Sequence, residues 1–174
     1  IGNNKTKPKN AQKKSNIEQI RYLSYHDVLT GLPNRRKFEV ITEQIDISNN
    51  IPYSVIYADI NNLKMTNDIF GHDTGDNLIV KAAQIIKNNV NEDAFIARIG
   101  GDEFFILLSK TDYNQALSIL NNIKEEIHNT KIAAIMCSIS IGAETITDDK
   151  TTIEQAISNA ENKMYREKVM NRKS

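Results

Sequence analysis

Two short apolar runs separated by a four-residue turn constrain this chain most. Phe95–Ile99 and Phe104–Leu108 have the aromatic and β-branched composition of strands, and Gly100-Gly101-Asp102-Glu103 lies between them. This pattern predicts a β-hairpin with two carboxylates at its tip. Taken alone, the turn is better explained as a solvated loop, so its meaning depends on what the fold brings beside it.

A second strand supplies the neighbour that gives the turn a chemical meaning. Tyr53–Ile60 is a nearly continuous apolar run, typical of a central buried strand, and it carries Asp59 near its end. If this strand lies beside the hairpin, Asp59, Asp102 and Glu103 gather around one small volume. Carboxylates that close repel one another unless a cation lies among them. Oxygen ligands without nitrogen or sulfur indicate Mg²⁺ or Mn²⁺, which suits a phosphate substrate.

Helical periodicity surrounds these strands and predicts the fold class. Helices are predicted over 17–25, over 35–48 with Asn34 as N-cap, over 77–90, around Ala116–Ile127, and after a capping box at Thr151–Glu154; a further strand region spans Ile132–Ala143. The apolar stripe of the last helix continues by fours to Lys168 and Arg172, which therefore share a face. The order predicts an α+β fold with an antiparallel-rich central sheet flanked by helices, which we expect on one side of it.

Charge and cysteine content exclude several classes of protein. The 174 residues include 22 basic and 22 acidic side chains, a balance that argues against a nucleic-acid or lipid-binding surface. Residues 1–22 are basic, whereas residues 23–174 carry 16 basic and 21 acidic side chains. The single Cys137 predicts a reducing, cytoplasmic environment. No apolar run is long enough to cross a membrane.

The start of the chain predicts a connection to something upstream. Residues 1–16 are rich in Lys and Asn and read as a linker or a frayed helix start. We therefore divide the chain into 1–24, a linker with an N-terminal helix, and 25–174, the folded domain. Because the chain begins with Ile rather than Met, we expect a fragment of a longer protein. An upstream sensor, or a membrane anchor for the full-length protein, is compatible with this.

A polar, glycine-broken stretch after the buried strand offers groups that could recognise a base. Asn67, His72 and Asp76 lie in it. A carboxylate that accepts from N1–H and N2–H₂, together with an amide, would distinguish guanine from adenine, which lacks those donors. Asp76 is the candidate for this role. It is also explained as an acidic residue near a helix N-terminus, where the helix dipole favours it.

At this point the chain resembles the GGDEF domains, the diguanylate cyclases that join two GTP molecules into cyclic di-GMP. The signature Gly100–Phe104 is intact and follows Arg98-Ile99. The resemblance spans about residues 25–172 and also rests on Asp27–Arg35, Asp59–Asp76, Ser140–Gly142 and Ala160–Arg172. It implies a ferredoxin-like fold of the nucleotidyl-cyclase palm type.

The resemblance also implies roles for individual residues. Asp59, the carbonyl of Ile60, Asp102 and Glu103 match the groups that hold two Mg²⁺ or Mn²⁺ ions per half-site. Asp102 or Glu103 would accept the proton, and Lys64 would stabilise the transition state. The implied substrate-binding residues are Asn67, His72, Asp76, Gly100, Gly101, Lys168 and Arg172. The implied active unit is a homodimer with one GTP per domain, without nucleic-acid or membrane contact by this segment.

Two alternatives and three departures accompany this interpretation. The chain could be a silent GGDEF module that binds GTP or a partner and regulates an attached domain, or a plain α+β domain with fortuitous acids. Asn61 stands where the family often has Asp, and Asn171 where Gly is frequent. Asn91 and Ala94 replace the Arg and Asp of a product-inhibition motif, so we expect no feedback at that place.

Overall fold

The computed structural model describes residues 9–49 and 51–171. In chain order the elements are α1 (Lys9–Tyr25), α2 (Arg35–Gln44), β1 (Tyr53–Ile60), α3 (Leu63–Phe70), α4 (His72–Asn88), β2 (Phe95–Arg98), β3 (Glu103–Leu108), α5 (Tyr113–His128), β4 (Lys131–Ile132), β5 (Ile135–Met136), β6 (Ile139–Ile146) and α6 (Ile153–Asn171). The predicted substrate residue Arg172 and the first part of the predicted linker lie outside the described residues.

The main sheet has four strands in the order β2-β3-β1-β6, and all its neighbours pair antiparallel. The α+β class and the hairpin are therefore confirmed. β1 lies in the interior of the sheet, and all eight of its residues are buried. A strand that is covered on both faces must be apolar throughout, which explains its nearly continuous apolar run.

Helices cover both faces of the sheet, so the expectation of helices on one side is wrong. Ile56, Ala58 and Ile60 of β1 pack into a core with α4 and α5. The alternate residues, Val55 and Tyr57, pack into a second core with α6 and part of α2. Because successive side chains of a strand point to opposite faces, a fully apolar strand needs a helical layer on each side.

Three element boundaries differ from the sequence prediction. The polar stretch after β1 contains the unpredicted helix α3, and α4 begins at His72 rather than at 77. Gly71 separates the two helices with a φ of 86°. Met65, Ile69 and Phe70 of α3 are exposed, so most of the apolar side chains of this short helix do not pack into the core.

Other boundaries shift by a few residues. Helix α2 ends at Gln44 rather than at 48, although Asn34 caps it as predicted by accepting from the backbone N–H of Lys37. The region 132–143 divides into β4, β5 and the start of β6. The capping box of α6 is one residue later than predicted, because Thr152 and Gln155 exchange the two hydrogen bonds. Helix α1 extends upstream of the predicted 17–25 to Lys9.

No helix in the described part of the chain is long and apolar enough to cross a membrane.

Gly142 allows α6 to pack directly on the backbone of β6. A Cβ atom at this position would lie 2.3 Å from the carbonyl oxygen of Ala160 and 2.5 Å from the backbone nitrogen of Met164. Backbone atoms of a packed helix cannot move away locally, so the helix as a whole would have to shift.

We therefore expect Gly142→Ala to lower the free energy of unfolding by about 1–3 kcal/mol, as overpacked cores do. Urea denaturation measures this change. Gly101→Ala is the matched control for stability, because a Cβ there meets no atom within 4 Å. Equal stability of the two variants would contradict the close packing of α6 on β6.

Candidate active site

The end of β1 and the tip of the β2–β3 hairpin form one unit. Asp59 lies directly opposite Glu103 in the β1–β3 ladder. The ladder continues beyond β3, because the backbone N–H of Ile60 donates to the carbonyl oxygen of Asp102 at 2.9 Å. The strand pairing thus brings all three predicted acids to one edge of the sheet.

Negative charge at this edge is concentrated enough to change the titration of Glu103. Burial raises the pKa of Glu103, and the carboxylates of Asp102, Asp59 and Glu161 raise it further, whereas Arg35 opposes them. Burial together with the neighbouring Glu103 also raises the pKa of Tyr57, whose side chain is hydrogen-bonded to Glu103. The acids are therefore close enough to repel one another.

A lysine from α6 neutralises part of this charge. Lys168 Nζ lies 2.6 Å from Asp59 Oδ2, and the Asp59 side chain is only 5% exposed. An ion pair in so buried a place depends on both partners, because removal of one leaves the other charge uncompensated. The resemblance implies that Lys168 binds the substrate; in this structure its partner is Asp59.

The donor groups at this edge fit a hard divalent cation. The predicted ligands are carboxylate and carbonyl oxygens, and Asp59 already has a cationic partner in Lys168. Within the described residues, no three His, Cys, Asp or Glu side chains converge into a ready-made ion site. Mg²⁺ usually takes only one or two protein carboxylates and completes its shell with water and phosphate oxygens. The residues present therefore suit Mg²⁺ bound together with a phosphorylated ligand.

A cavity of about 410 Å³ opens beside the end of β1. It brings together Lys64 from α3, Asp102 from the hairpin and Lys168 from α6. A second cavity, of about 500 Å³, also borders Lys168 and is lined by Asp59, Glu103 and Glu161 among others. Lys168 thus lines both cavities, with Lys64 and Asp102 at the first and the other acids at the second.

The predicted base-reading residues lie apart from these two cavities, on α3 and α4. Asn67 of α3 contacts Gly75 of α4 so closely that a Cβ on Gly75 would lie 1.8 Å from Asn67 Oδ1. That oxygen is buried and has no hydrogen-bond partner. Asp76 is the next residue of α4 and is exposed, as is His72 at the start of the helix.

The position of Asp76 bears on its alternative explanation. Helix α4 begins at His72, so its first-turn acid is Asp73, and Asp76 lies beyond the first turn. The helix dipole acts mainly within that first turn. A purely structural role of Asp76 as an N-terminal acid is therefore not supported.

Two glycines of the signature differ in their surroundings. A Cβ on Gly100 would lie 2.3 Å from Glu103 Oε2, so the side chain of Glu103 folds back over this glycine. Gly101 faces open space. The resemblance implies that both glycines bind the substrate; at Gly100 the neighbouring group in this structure is Glu103.

An arginine that the sequence analysis left without a role holds the hairpin tip. Arg98 donates to the carbonyl oxygen of Gly101 at 2.8 Å and forms an ion pair with Asp27 at 3.0 Å. Burial alone would raise the pKa of Asp27, but hydrogen bonds from Thr30 and Arg98 outweigh burial and lower it. The sequence signal that could have revealed this contact is the opposite charge of Asp27 and Arg98, which lie in two of the segments that carry the resemblance.

Comparison with known proteins decides the family. The family model described as "Diguanylate cyclase, GGDEF domain" matches residues 24–174. The chain belongs to the GGDEF family. The signature Gly100–Phe104 therefore lies at the hairpin tip and the start of β3 of a GGDEF domain.

Curated relatives carry the same family name over longer chains. Diguanylate cyclase DosC of Shigella sonnei (strain Ss046) is 38% identical over 125 residues, which are 67% of this chain and 27% of DosC. Diguanylate cyclase DgcP of Escherichia coli (strain K12) is 29% identical over 171 residues, which are 90% of this chain and 50% of DgcP. This GGDEF chain thus spans half or less of the length of these relatives.

Solved structures share the fold. The coiled coil and GGDEF domain of DgcB from Caulobacter crescentus, in complex with c-di-GMP, superposes with a TM-score of 0.78 at 22% identity, covering 92% of this chain and 88% of that one. A sensory box/GGDEF family protein from C. crescentus CB15 gives 0.71 at 29% identity, covering 84% and 99%. The ferredoxin-like, palm-type architecture implied by the sequence is that of GGDEF domains.

The raised pKa of Glu103 predicts a pH-dependent stability in the absence of metal. A raised pKa means that the folded state binds the proton more tightly, so ionised Glu103 destabilises the fold at neutral pH. We expect Glu103→Gln to raise the free energy of unfolding at pH 7 in EDTA. The gain should fade as the pH falls to the ordinary glutamate pKa of 4.5.

Urea denaturation at a series of pH values measures this difference. Glu43→Gln, at an exposed glutamate of α2, serves as the control and should change stability by less than about 0.5 kcal/mol. If the gain in free energy of unfolding stays the same at pH 4, ionised Glu103 does not destabilise the fold.

Proposed function

We propose that this chain is an active diguanylate cyclase domain that condenses two GTP molecules into cyclic di-GMP. The 3′-hydroxyl oxygen of one GTP bonds to the α-phosphorus of the other, the bond to the β-phosphate oxygen breaks, and pyrophosphate and a proton leave. The same step closes the ring. The carrying observation is the cavity in which Lys64, Asp102 and Lys168 meet beside Asp59.

The ligands proposed for two Mg²⁺ or Mn²⁺ ions per half-site are Asp59, the Ile60 carbonyl, Asp102 and Glu103. A bound divalent ion would neutralise the triphosphate and lower the pKa of the attacking hydroxyl. Asp102 or Glu103 would accept the proton. Lys168 supplies the positive charge at Asp59 in this structure, and it can turn to the phosphates once Asp59 has another cationic partner.

In this proposal Lys64 of α3 and Lys168 of α6 both contact the phosphate chain. The resemblance assigns Arg172, four residues after Lys168 in the sequence, to the same substrate. Gly100 and Gly101 keep the hairpin tip narrow enough for the nucleotide to lie against it. Residues 23–174 carry more acidic than basic side chains. These cations therefore supply the local positive charge that attracts a triphosphate.

Guanine would be read at the α3–α4 hairpin. The buried Oδ1 of Asn67 lacks a partner, and the exposed Asp76 follows Gly75, against which Asn67 packs. An amide and a carboxylate side by side match the edge of guanine and not that of adenine. His72 lies at the start of α4, within reach of the same nucleotide in this proposal.

The proposed active unit is a homodimer, because one domain holds one GTP and the reaction joins two. Helix α1 offers a surface for pairing, since Ile17, Ile20 and Leu23 are each at least half exposed. A sensor domain upstream of α1 would control this pairing. We place the domain in the cytoplasm, where GTP is available, without nucleic-acid or membrane contact.

Turnover of GTP tests the proposal. Purified protein with GTP and Mg²⁺ should form cyclic di-GMP, measured by chromatography, and the rate per protein should rise with protein concentration because two domains must meet. Asp102→Ala should lower the rate at least about 100-fold, as loss of a charge-stabilising group does.

Asp149→Ala, at an exposed acid outside the site, is the matched control and should retain full activity. GTP binding without any product, at all protein concentrations, would favour the silent regulatory module instead.

Gly75→Ala tests the base-reading site without touching the proposed contacts. Alanine favours a helix over glycine by about 1 kcal/mol, so α4 itself should not be destabilised. The added Cβ must displace Asn67, however. We expect the ratio of GTP to ATP affinity, measured by calorimetry, to fall about tenfold.

Ala82→Gly, at a buried position of the same helix away from Asn67, is the control and should lower stability while leaving that ratio unchanged. An unaltered ratio in Gly75→Ala would remove Asn67 from base recognition.

A further inference from the structure

Two asparagines that depart from the GGDEF pattern meet at one buried serine. The Ser140 hydroxyl donates to Asn61 Oδ1 at 2.8 Å and accepts from Asn171 Nδ2 at 3.3 Å. Ser140 is fully buried. The residue after the end of β1 and the last residue of α6 are thus joined through one hydroxyl.

The hydrogen bonds that link these side chains all run in the same direction from donor to acceptor. Asn61 accepts from Ser140, and its Nδ2 donates onward to Ser138 Oγ at 3.1 Å. The backbone of the same two residues is also joined, because the N–H of Asn61 donates to the Ser138 carbonyl oxygen at 3.0 Å. Both ends of the Asn61 amide therefore have partners, and the amide orientation is fixed.

These hydrogen-bonded side chains lie beside Lys168, the proposed phosphate-binding lysine. Lys168 and Asn171 are three residues apart, so they share a face of the last turn of α6. Lys168 contacts Asp59, and Asn171 reaches Asn61 through Ser140. Two attachments thus hold this turn to the end of β1, and only one of them is ionic.

The two attachments differ in what a phosphate ligand does to them. Lys168 must leave Asp59 to bind phosphate, which ends the ionic attachment. The Asn171–Ser140–Asn61 hydrogen bonds involve no charged group, so the turning of Lys168 away from Asp59 does not itself break them. An Asp at position 61, two residues after Asp59 on the same face of the strand, would instead add a negative charge to the cavity that Asn61 lines.

We infer that the Asn171–Ser140–Asn61 chain is a positioning device that keeps the last turn of α6 against β1 when Lys168 turns from Asp59 to the triphosphate. This inference rests on the proposed function for the identity of the ligand. It makes Asn61 and Asn171 positioning residues that act through Lys168, with no contact to the reacting atoms. Their effect belongs to the terminal phosphates and not to the base.

Two ligands, one with and one without the terminal phosphates, test the inference. The probes are 3′-deoxy-GTP, which cannot form the new bond, and GMP, which lacks the terminal phosphates, both with Mg²⁺ in calorimetry. Asn171→Ala and Asn61→Ala should each weaken 3′-deoxy-GTP binding about three- to tenfold, the worth of one or two neutral hydrogen bonds. GMP binding should change less than twofold.

The double variant tests whether the two residues act as one device. Because both single changes break the same chain, Asn61→Ala with Asn171→Ala should bind 3′-deoxy-GTP no more than about twofold more weakly than the worse single variant. Asn159→Ala, at an exposed asparagine of α6 outside the chain, is the control and should bind both probes like the unmodified protein. Asn171 is itself exposed, so Asn171→Ala keeps the test open if the Asn61 variants fail to fold.

Three results would overturn the inference. Equal weakening of GMP and 3′-deoxy-GTP would show a general structural effect, and multiplicative losses in the double variant would show two independent residues. Unchanged 3′-deoxy-GTP binding in Asn171→Ala would remove the device while leaving the proposed function intact. If the unmodified protein does not bind 3′-deoxy-GTP, the proposed function fails and the inference fails with it.

Discussion

The antiparallel pairing of β1 with β3 determines where the chemistry of this domain can occur. It sets Asp59 opposite Glu103 and continues through the hydrogen bond from Ile60 to Asp102. Asp59 lies near the end of β1, and Glu103 lies at the start of β3. Pairing of the two strands places these acids at one edge, where burial and mutual repulsion raise the pKa of Glu103. A cationic partner is the physical requirement that this pairing creates, and Lys168 meets it here.

Helix α6 can supply that partner because it packs unusually close to the sheet. Gly142 lets the backbone around Ala160 and Met164 lie against β6, which sets the height of the whole helix. About two turns after Ala160, Lys168 reaches Asp59, and about three turns after it, Asn171 reaches Ser140. A glycine in a strand thus controls the reach of a lysine on a helix, since neither contact survives if the helix lies further out.

Much of this arrangement was predictable from sequence because it depends on periodicity. The hairpin, the acid at the end of a buried strand and the common face of α6 all follow from the pattern of apolar residues along the chain. Helix α3 has only eight residues, too few for a periodic pattern to stand out. Gly71 and Gly75 made the start of α4 look like a loop. Gly75 is in fact helical and makes room for Asn67, a tertiary reason that no local pattern reveals.

Pairings of charge were the harder part to predict. Lys168 and Asp59 are more than 100 residues apart, and a sequence offers many acids to each lysine. The continuous apolar run of β1 leaves neither face of the strand for water, so it already indicated helices on both faces of the sheet. The expectation of a single helical layer did not take this run into account. Buried polar partners become predictable only once the strand order is known.

The hairpin tip is also tied to the entrance of the domain. Arg98 contacts Asp27 with one part of its guanidinium and the Gly101 carbonyl with another. Asp27 follows α1 by two residues, and Asn34 donates to the carbonyl oxygen of Ser24 within that helix. The half-buried ion pair and these hydrogen bonds thus connect the end of α1 with the tip of the hairpin. In the proposed homodimer, the helix offered for pairing is attached in this way to the loop that carries the acids.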